Sequence, residues 1–215
     1  MISMALTSNC PAWVDRISPA QEQRFLLQLQ RVHDLVQAAA TEVLIADSLL
    51  LWHAVLFSEF VPLPYYAGNF RQADSSRVCL CMPVHVDGVG GSDPHIVPSE
   101  IARLFAELRT NIDRLESRWP HALPAERAGL LSKTMAWFVG SFIRIHPFLN
   151  GNGRTSRLLW RWGLLRYGAQ PQVCSHPRPD PPYATVMKQA MNGDDMPLRK
   201  FILIHLRQCF RNYSN

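Results

Sequence analysis

The chain has 215 residues, 47% hydrophobic and 18% charged, which suits one globular domain with at most a short appendage and excludes wholesale disorder. Twenty-two Lys and Arg against seventeen Asp and Glu leave a net charge of +5. That excess admits nucleic acid, phosphate or acidic surfaces as partners without choosing among them. Five cysteines, Cys10, Cys79, Cys81, Cys174 and Cys209, show no zinc-binding spacing. Cys79 and Cys81, two apart on a strand, are poorly placed to bond each other. All five read as reduced thiols in a cytosol-like compartment. The segment Met1 to Met4 lacks the charged and apolar regions of a signal peptide. The most apolar stretch, Val43 to Phe57, is interrupted by Asp47, Ser48 and His53 and is too short and polar to span a bilayer.

In chain order, Pro19 to Phe57 reads as helical. Phe25, Leu26, Leu29, Val32, Leu35 and Val36 recur at helical spacing, and Leu44, Leu51, Val55 and Leu56 form a second apolar run. Ser18-Pro19 supplies a cap and a first-turn proline. Pro62, Pro64 and Gly68 end the helix. Residues 66–98 differ. Arg77 to Val86 is rich in β-formers and is followed by Gly88, Gly90 and Gly91, which predicts a short strand or hairpin inside a long, functional loop.

Helix returns at Ser99, with Ile101, Leu104, Phe105, Leu108, Ile112 and Leu115 on one face. A helix over about 125–145 carries Leu131, Met135, Phe138, Phe142 and Ile145 as a core stripe. Another runs from Asn152 to about Tyr167. A linker with five prolines over 170–182 precedes two closing helices, 183–191 and 197–210. The fold class is therefore mainly α.

Between two helices lies His146-Pro147-Phe148-Leu149-Asn150-Gly151-Asn152-Gly153-Arg154-Thr155-Ser156-Arg157. Pro147 disfavours helix at His146 and leaves the imidazole at the loop's edge. Gly151 and Gly153 let the backbone turn tightly against a ligand. The next helix opens with unpaired N–H groups at its positive end, a ready anion site. Arg154, Arg157 and Arg161 share one face beside it. A phosphate cradle, cations and a histidine able to take a proton at neutral pH are the parts for attack of a hydroxyl on a phosphate ester.

These residues resemble the hallmark of the Fic (Fic/Doc) family, His-Pro-Phe-x-Asp/Glu-Gly-Asn-Gly-Arg-x-x-Arg, at His146, Pro147, Phe148, Gly151, Asn152, Gly153, Arg154 and Arg157. Tyr66 to Arg71 resembles the family's Ala-Gly-x-Phe-Arg segment leading into a flap, Trp52 to Phe57 the helix before it, and Tyr183 to Phe201 the C-terminal helices. The resemblance implies a helical bundle with a β-hairpin flap, the Fic-like domain spanning 45–210 and residues 1–44 packing on it as a helical extension. It also implies a protein adenylyltransferase that moves AMP from ATP to a Ser, Thr or Tyr hydroxyl, with Mg²⁺ or Mn²⁺. By the same resemblance His146 is the general base and Phe148 a core anchor. Gly151, Asn152 and Gly153 form the anion hole, and Arg154 and Arg157 hold the outer phosphates. Arg77, Val78, Cys79, Leu80, Cys81 and Met82 form a flap strand that docks the target protein by β-augmentation.

Asn150 stands where most members carry Asp or Glu for the metal, and the missing charge weakens that site. Three outcomes follow: a slower AMP transferase, a transferase of another phosphate-containing group, or a catalytically silent nucleotide-binding module. Many members also carry an inhibitory Ser/Thr-x-x-x-Glu-Gly/Asn helix. Here the only candidate is Ser18 with Glu22, followed by Gln23, and it reads as an ordinary helix start. Control is then expected from an antitoxin-like partner chain, from target availability, or not at all. Nucleic acid and membrane are not expected as partners. The expected location is cytoplasmic, in its own cell or, for an effector, in a host cell.

Overall fold

A computed structural model of the chain describes residues 9–14, 17–74, 76–169 and 181–211, side chains of 181 and 208–211 excepted. Residues 170–180 of the linker predicted over 170–182 lie outside them, and Pro181 and Pro182 belong instead to the helix that follows. The fold is mainly α, as expected. The helices are α1 (Pro19–Ala39), α2 (Ala46–Phe57), α3 (Val97–Arg118), α4 (Pro124–Ile145), α5 (Asn152–Arg166), α6 (Pro181–Met191) and α7 (Met196–Arg211). A two-stranded antiparallel hairpin, β1 (His85–Val86) and β2 (Val89–Gly90), is the one sheet among the described residues. No helix among these residues is long and apolar enough to cross a membrane.

The core forms around α4 and α5. Helix α5 is buried nearly all round from Asn152 to Leu164, which fits a helix enclosed by others. Helix α4 presents Leu131, Met135, Phe138, Phe142 and Ile145 inward, the stripe read from the sequence. It packs against α3, α5, α6 and α7. Arg144 fastens its last turn to the end of α6 and the α6–α7 connection, donating to Ala190 O at 3.0 Å and to Asp195 at 2.6 and 3.2 Å.

Two expectations fail locally. The helical stretch 19–57 is two helices, broken at 40–45. A single helix of that length would be roughly 58 Å long at 1.5 Å per residue and would strand one apolar run in water. Breaking it lets Val32 and Val36 of α1 and Leu49 and Leu56 of α2 share one core. The start of α1 is as read: Ser18 N and Oγ both donate to Gln21 Oε1, at 3.1 and 2.9 Å.

The strand expected at Arg77–Met82 is absent. Val78–Cys81 is a short 3-10 turn, with Leu80 N bonded to Arg77 O at 2.8 Å. Consecutive Cys79 and Leu80 are 5% and 0% exposed, whereas a strand alternates its faces. The hairpin lies further on. Val86 pairs with Val89 around Asp87 and Gly88, whose φ of 51° and 85° suit a two-residue primed turn.

The cysteine reading also needs correcting. Cys10 and Cys79 form a disulfide across 69 residues of sequence, and Cys81 is free. Spacing along the chain carries no sign of a partner that only folding brings near. The compartment argument built on five thiols loses its premise. Cys174 and the side chain of Cys209 lie outside the described residues.

Candidate active site

The loop between α4 and α5 is held from three sides. His146 ends α4 in the left-handed region, φ 52° and ψ 59°, with its N–H still bonded to Phe142 O. Pro147 then starts the loop. Phe148 is fully buried and stacks on His53 of α2, centroids 3.8 Å apart and planes 9° from parallel. Asn152, 2% exposed, clamps the same residue: its Oδ1 accepts from Phe148 N at 3.0 Å and its Nδ2 donates to Phe148 O at 2.8 Å.

His53 is itself fixed. Gly68 N–H donates to its Nδ1 at 2.9 Å, so Nε2 carries the proton and donates to Asn150 O at 3.0 Å. Burial lowers its pKa to about 3, and the imidazole is a neutral strut. Gly151 adopts φ 79° and has no space for a side chain: a Cβ there would lie 2.5 Å from the Phe57 ring. A glycine is required on both counts.

Arg71 joins the loop to the flap. It is fully buried, and its guanidinium donates to His146 O at 2.9 Å, Ser92 O at 2.7 Å, Ile145 O at 3.1 Å and Met82 O at 3.4 Å. Its own N–H donates to Pro147 O at 2.7 Å. Both roots of the hairpin, at Met82 and Ser92, are thereby tied to the backbone of residues 145–147. Burial lowers the Arg71 pKa to about 10. The Ala-Gly-x-Phe-Arg resemblance marked this segment, but nothing in the sequence pointed to a buried hub.

His146 lies half-buried under this roof. Its Nδ1 faces Ile143 O at 3.3 Å. A carbonyl only accepts, so Nδ1 bears the proton and Nε2 keeps its lone pair. Burial, with the Arg71 charge adding to it, lowers the His146 pKa to about 4. The imidazole is thus unprotonated at neutral pH.

At the head of α5 the N–H groups of Arg154 and Thr155 turn back to Gly151 O, at 3.1 and 3.0 Å. Those of Asn152 and Gly153 precede the first helical bond, as helix geometry requires. Arg154 and Arg157 are 2% and 4% exposed. The Arg154 guanidinium sits 4.7 Å from the Phe25 ring of α1, and that of Arg157 sits 4.5 Å from the Tyr183 ring of α6. Arg157 Nη1 reaches Gly153 O at 3.3 Å, while its Nε is buried without a hydrogen-bond acceptor among the described residues. An unmet donor therefore lies beside the first turn of the helix.

A Fic/DOC family model matches residues 43–164, more than half of the chain. The chain belongs to the Fic/DOC family. Curated relatives include the protein adenylyltransferase Fic of Drosophila grimshawi, 34% identical over 90 residues that make up 41% of this chain and 18% of that one. The Drosophila yakuba counterpart is 42% identical over 60 residues, 28% of this chain and 12% of that one. The match thus spans less than a fifth of those relatives' length. A Fic domain containing signaling protein from Bacteroides thetaiotaomicron has TM-score 0.64 at 16% identity, covering 90% of this chain and 73% of that one. The BepC effector of Bartonella tribocorum, solved with bound AMPPNP, has TM-score 0.58 at 18% identity, covering 85% and 86%. Identities this low establish a shared fold.

Within this Fic loop the expected residues divide. His146, Gly151, Gly153 and Arg157 gather at the junction of α4 and α5. The Asn152 side chain does not face a ligand, because both its polar atoms are spent on Phe148; its backbone N–H alone remains for an anion. Arg161 departs from the cradle: it lies against His33 and Asp34 of α1, where their charges interact. The Arg77–Met82 segment offers no strand edge.

The metal expected at Asn150 does not fit the residues as they stand. Asn150 Nδ2 donates to Trp13 O at 2.8 Å, and Asn150 Oδ1 accepts from Gly151 N at 2.7 Å. The amide oxygen is turned onto the backbone, and among the described residues no three His, Cys, Asp or Glu side chains gather around a common point. A divalent ion prefers several hard oxygen ligands, and this corner supplies one neutral oxygen already in use.

Proposed function

We propose that the chain is a protein adenylyltransferase, transferring AMP from ATP to a Ser, Thr or Tyr hydroxyl of a target protein. The observation that carries the reading is the pairing of a neutral His146, its Nε2 lone pair available, with an unmet Arg157 donor at the N-terminus of α5. The names of the curated relatives and the AMPPNP bound in the Bartonella neighbour support the same reaction class.

In this reading the target hydroxyl oxygen attacks the α-phosphorus of ATP. The bond to the β-phosphate breaks, pyrophosphate leaves and the hydroxyl proton passes to His146 Nε2. The backbone N–H groups of 151–153 meet the phosphoryl charge, and Arg154 and Arg157 hold the outer phosphates. An imidazole with a pKa near 4 is a weak base. The incoming phosphates carry the opposite charge to imidazolium and raise that pKa towards neutrality. The hairpin 85–90, roofing His146, docks the target segment, and residues 1–44 act as an extension on the Fic-like domain. An inhibitory partner chain would control the activity.

A second reading, a nucleotide-binding module without turnover, rests on the turned-away Asn150. Incubation with α-labelled ATP, magnesium or manganese salts and candidate targets separates the two. Labelling that disappears in His146→Ala supports transfer by the proposed mechanism; labelling that survives overturns it. ATP binding by calorimetry with no label in any target favours the module. The intact mass of a modified target distinguishes AMP from another phosphate-containing group.

A further inference from the structure

Residues 10–14 lie beside the catalytic loop outside any helix or strand. A covalent bond, hydrogen bonds and ring contacts hold them. Cys10 is bonded to Cys79. Tyr66 Oη donates to Pro11 O at 3.0 Å. Trp13 O accepts from Asn150 Nδ2 at 2.8 Å. The Trp13 ring stands edge-on to His53 and Phe57, centroids 5.8 and 5.3 Å apart. Those two rings also close the space around Gly151.

Asn150 links this strap to the anion site. Its Nδ2 is held by the strap and its Oδ1 lies on the Gly151 N–H, one of the donors proposed for phosphate. A carboxylate at 150 could accept from Gly151 but could not donate to Trp13 O. The amide therefore suits the strap, which gives a physical reason for Asn at this position. Ordering a five-residue segment costs conformational entropy that two neutral hydrogen bonds and the edge contacts of the part-buried Trp13 ring offset only in part. The covalent Cys10–Cys79 link thus decides whether the strap stays.

We infer that the Cys10–Cys79 disulfide is a redox latch on the anion site. Closed, it keeps the strap on Asn150 and the Asn150 oxygen on Gly151 N–H; opened, it releases both. Cys10 is partly exposed whereas Cys79 is 5% exposed, so a dithiol reductant attacks Cys10 Sγ. Cys79 leaves as thiolate and takes up a proton. The reductant's second thiol then frees Cys10 and closes the reductant's own disulfide, two electrons and two protons having passed to the protein. The consequence for nucleotide rests on the proposed function; the latch itself does not.

The test compares the full chain, oxidised and dithiol-reduced, with Cys10→Ser and Cys79→Ser as permanently open forms and Cys81→Ser in every sample to block thiol exchange. ATP affinity is read by calorimetry and the Gly151 amide by hydrogen exchange. Reduction and either serine variant are expected to tighten ATP binding about tenfold or more, the worth of one regained donor to a charged oxygen, and to speed Gly151 amide exchange. Asn150→Ala, which removes both the donor to Trp13 O and the acceptor on Gly151 N–H, is expected to move the oxidised protein the same way. Equal ATP affinity and equal Gly151 exchange in both redox states overturn the latch. Faster Gly151 exchange with no ATP binding in either state upholds the latch and overturns the nucleotide reading. Faster exchange with unchanged ATP affinity overturns the link between latch and anion site.

Discussion

Arg71→Met removes a buried guanidinium that serves four carbonyls, three of them within 3.1 Å. A buried acceptor left unmet costs about 1–3 kcal/mol. The apolar replacement recovers part of this, because burying an ion is itself unfavourable. The expected net loss is about 3–5 kcal/mol, a large share of the ~5–15 kcal/mol by which domains are stable. With a urea slope of ~3 kcal/mol per M, the unfolding midpoint drops by about 1 M or more. Arg71→Lys keeps the charge but lacks the planar fork that reaches both hairpin roots, and is expected to lose about half as much. The variant has an electrostatic signature too. Removing the Arg71 charge raises the His146 pKa above about 4, which imidazole titration by NMR reads directly. A midpoint shift below about 0.3 M together with an unmoved His146 titration would refute the hub.

Gly151→Ala places a Cβ against Phe57 at a φ of 79°; left-handed strain of ~1–2 kcal/mol plus overpacking of ~1–3 kcal/mol should appear in urea unfolding, and a loss under ~0.5 kcal/mol contradicts the packing argument. Unfolded histidines protonate near 6.5, whereas His33 and His146 stay neutral to about 4 and His53 to about 3. Below pH 6.5 the unfolded state thus binds more protons and stability falls with pH; fully buried His53 contributes up to about 1.4 kcal/mol per unit, so His53→Gln should flatten that slope in urea midpoints from pH 7 to 4.5. Arg144→Ala severs the bidentate pair with Asp195, whose two side chains are 32% and 28% exposed, and about 1–2 kcal/mol is expected after solvent screening. In a double-mutant cycle with Asp195→Ala, the absence of coupling would count against that clamp.

Local signals carried most of the helices. The stripe on α4 and the cap at Ser18 are written in residue spacing and side-chain chemistry, because a helix satisfies its backbone within itself. The motif at 146–157 was legible for the same reason: its glycines and its proline act on the dihedrals of their own neighbourhood. The strand misread at Arg77–Met82 shows where that reasoning ends. β-forming residues were drawn into a turn because Leu80 fills the core and Cys79 meets a partner 69 positions away.

The sequence alone determined which family this chain joins and which residues stand at the head of α5. Only the tertiary structure decided what those residues are free to do. It showed that the polar atoms of Asn152 are spent on Phe148 and that Arg161 turns to α1. It also showed that Asn150 is shared between Trp13 and Gly151. The physical reason is one of range. Conformational preference acts over a few residues, whereas a hydrogen bond or disulfide is satisfied by whichever group the fold brings within about 3 Å.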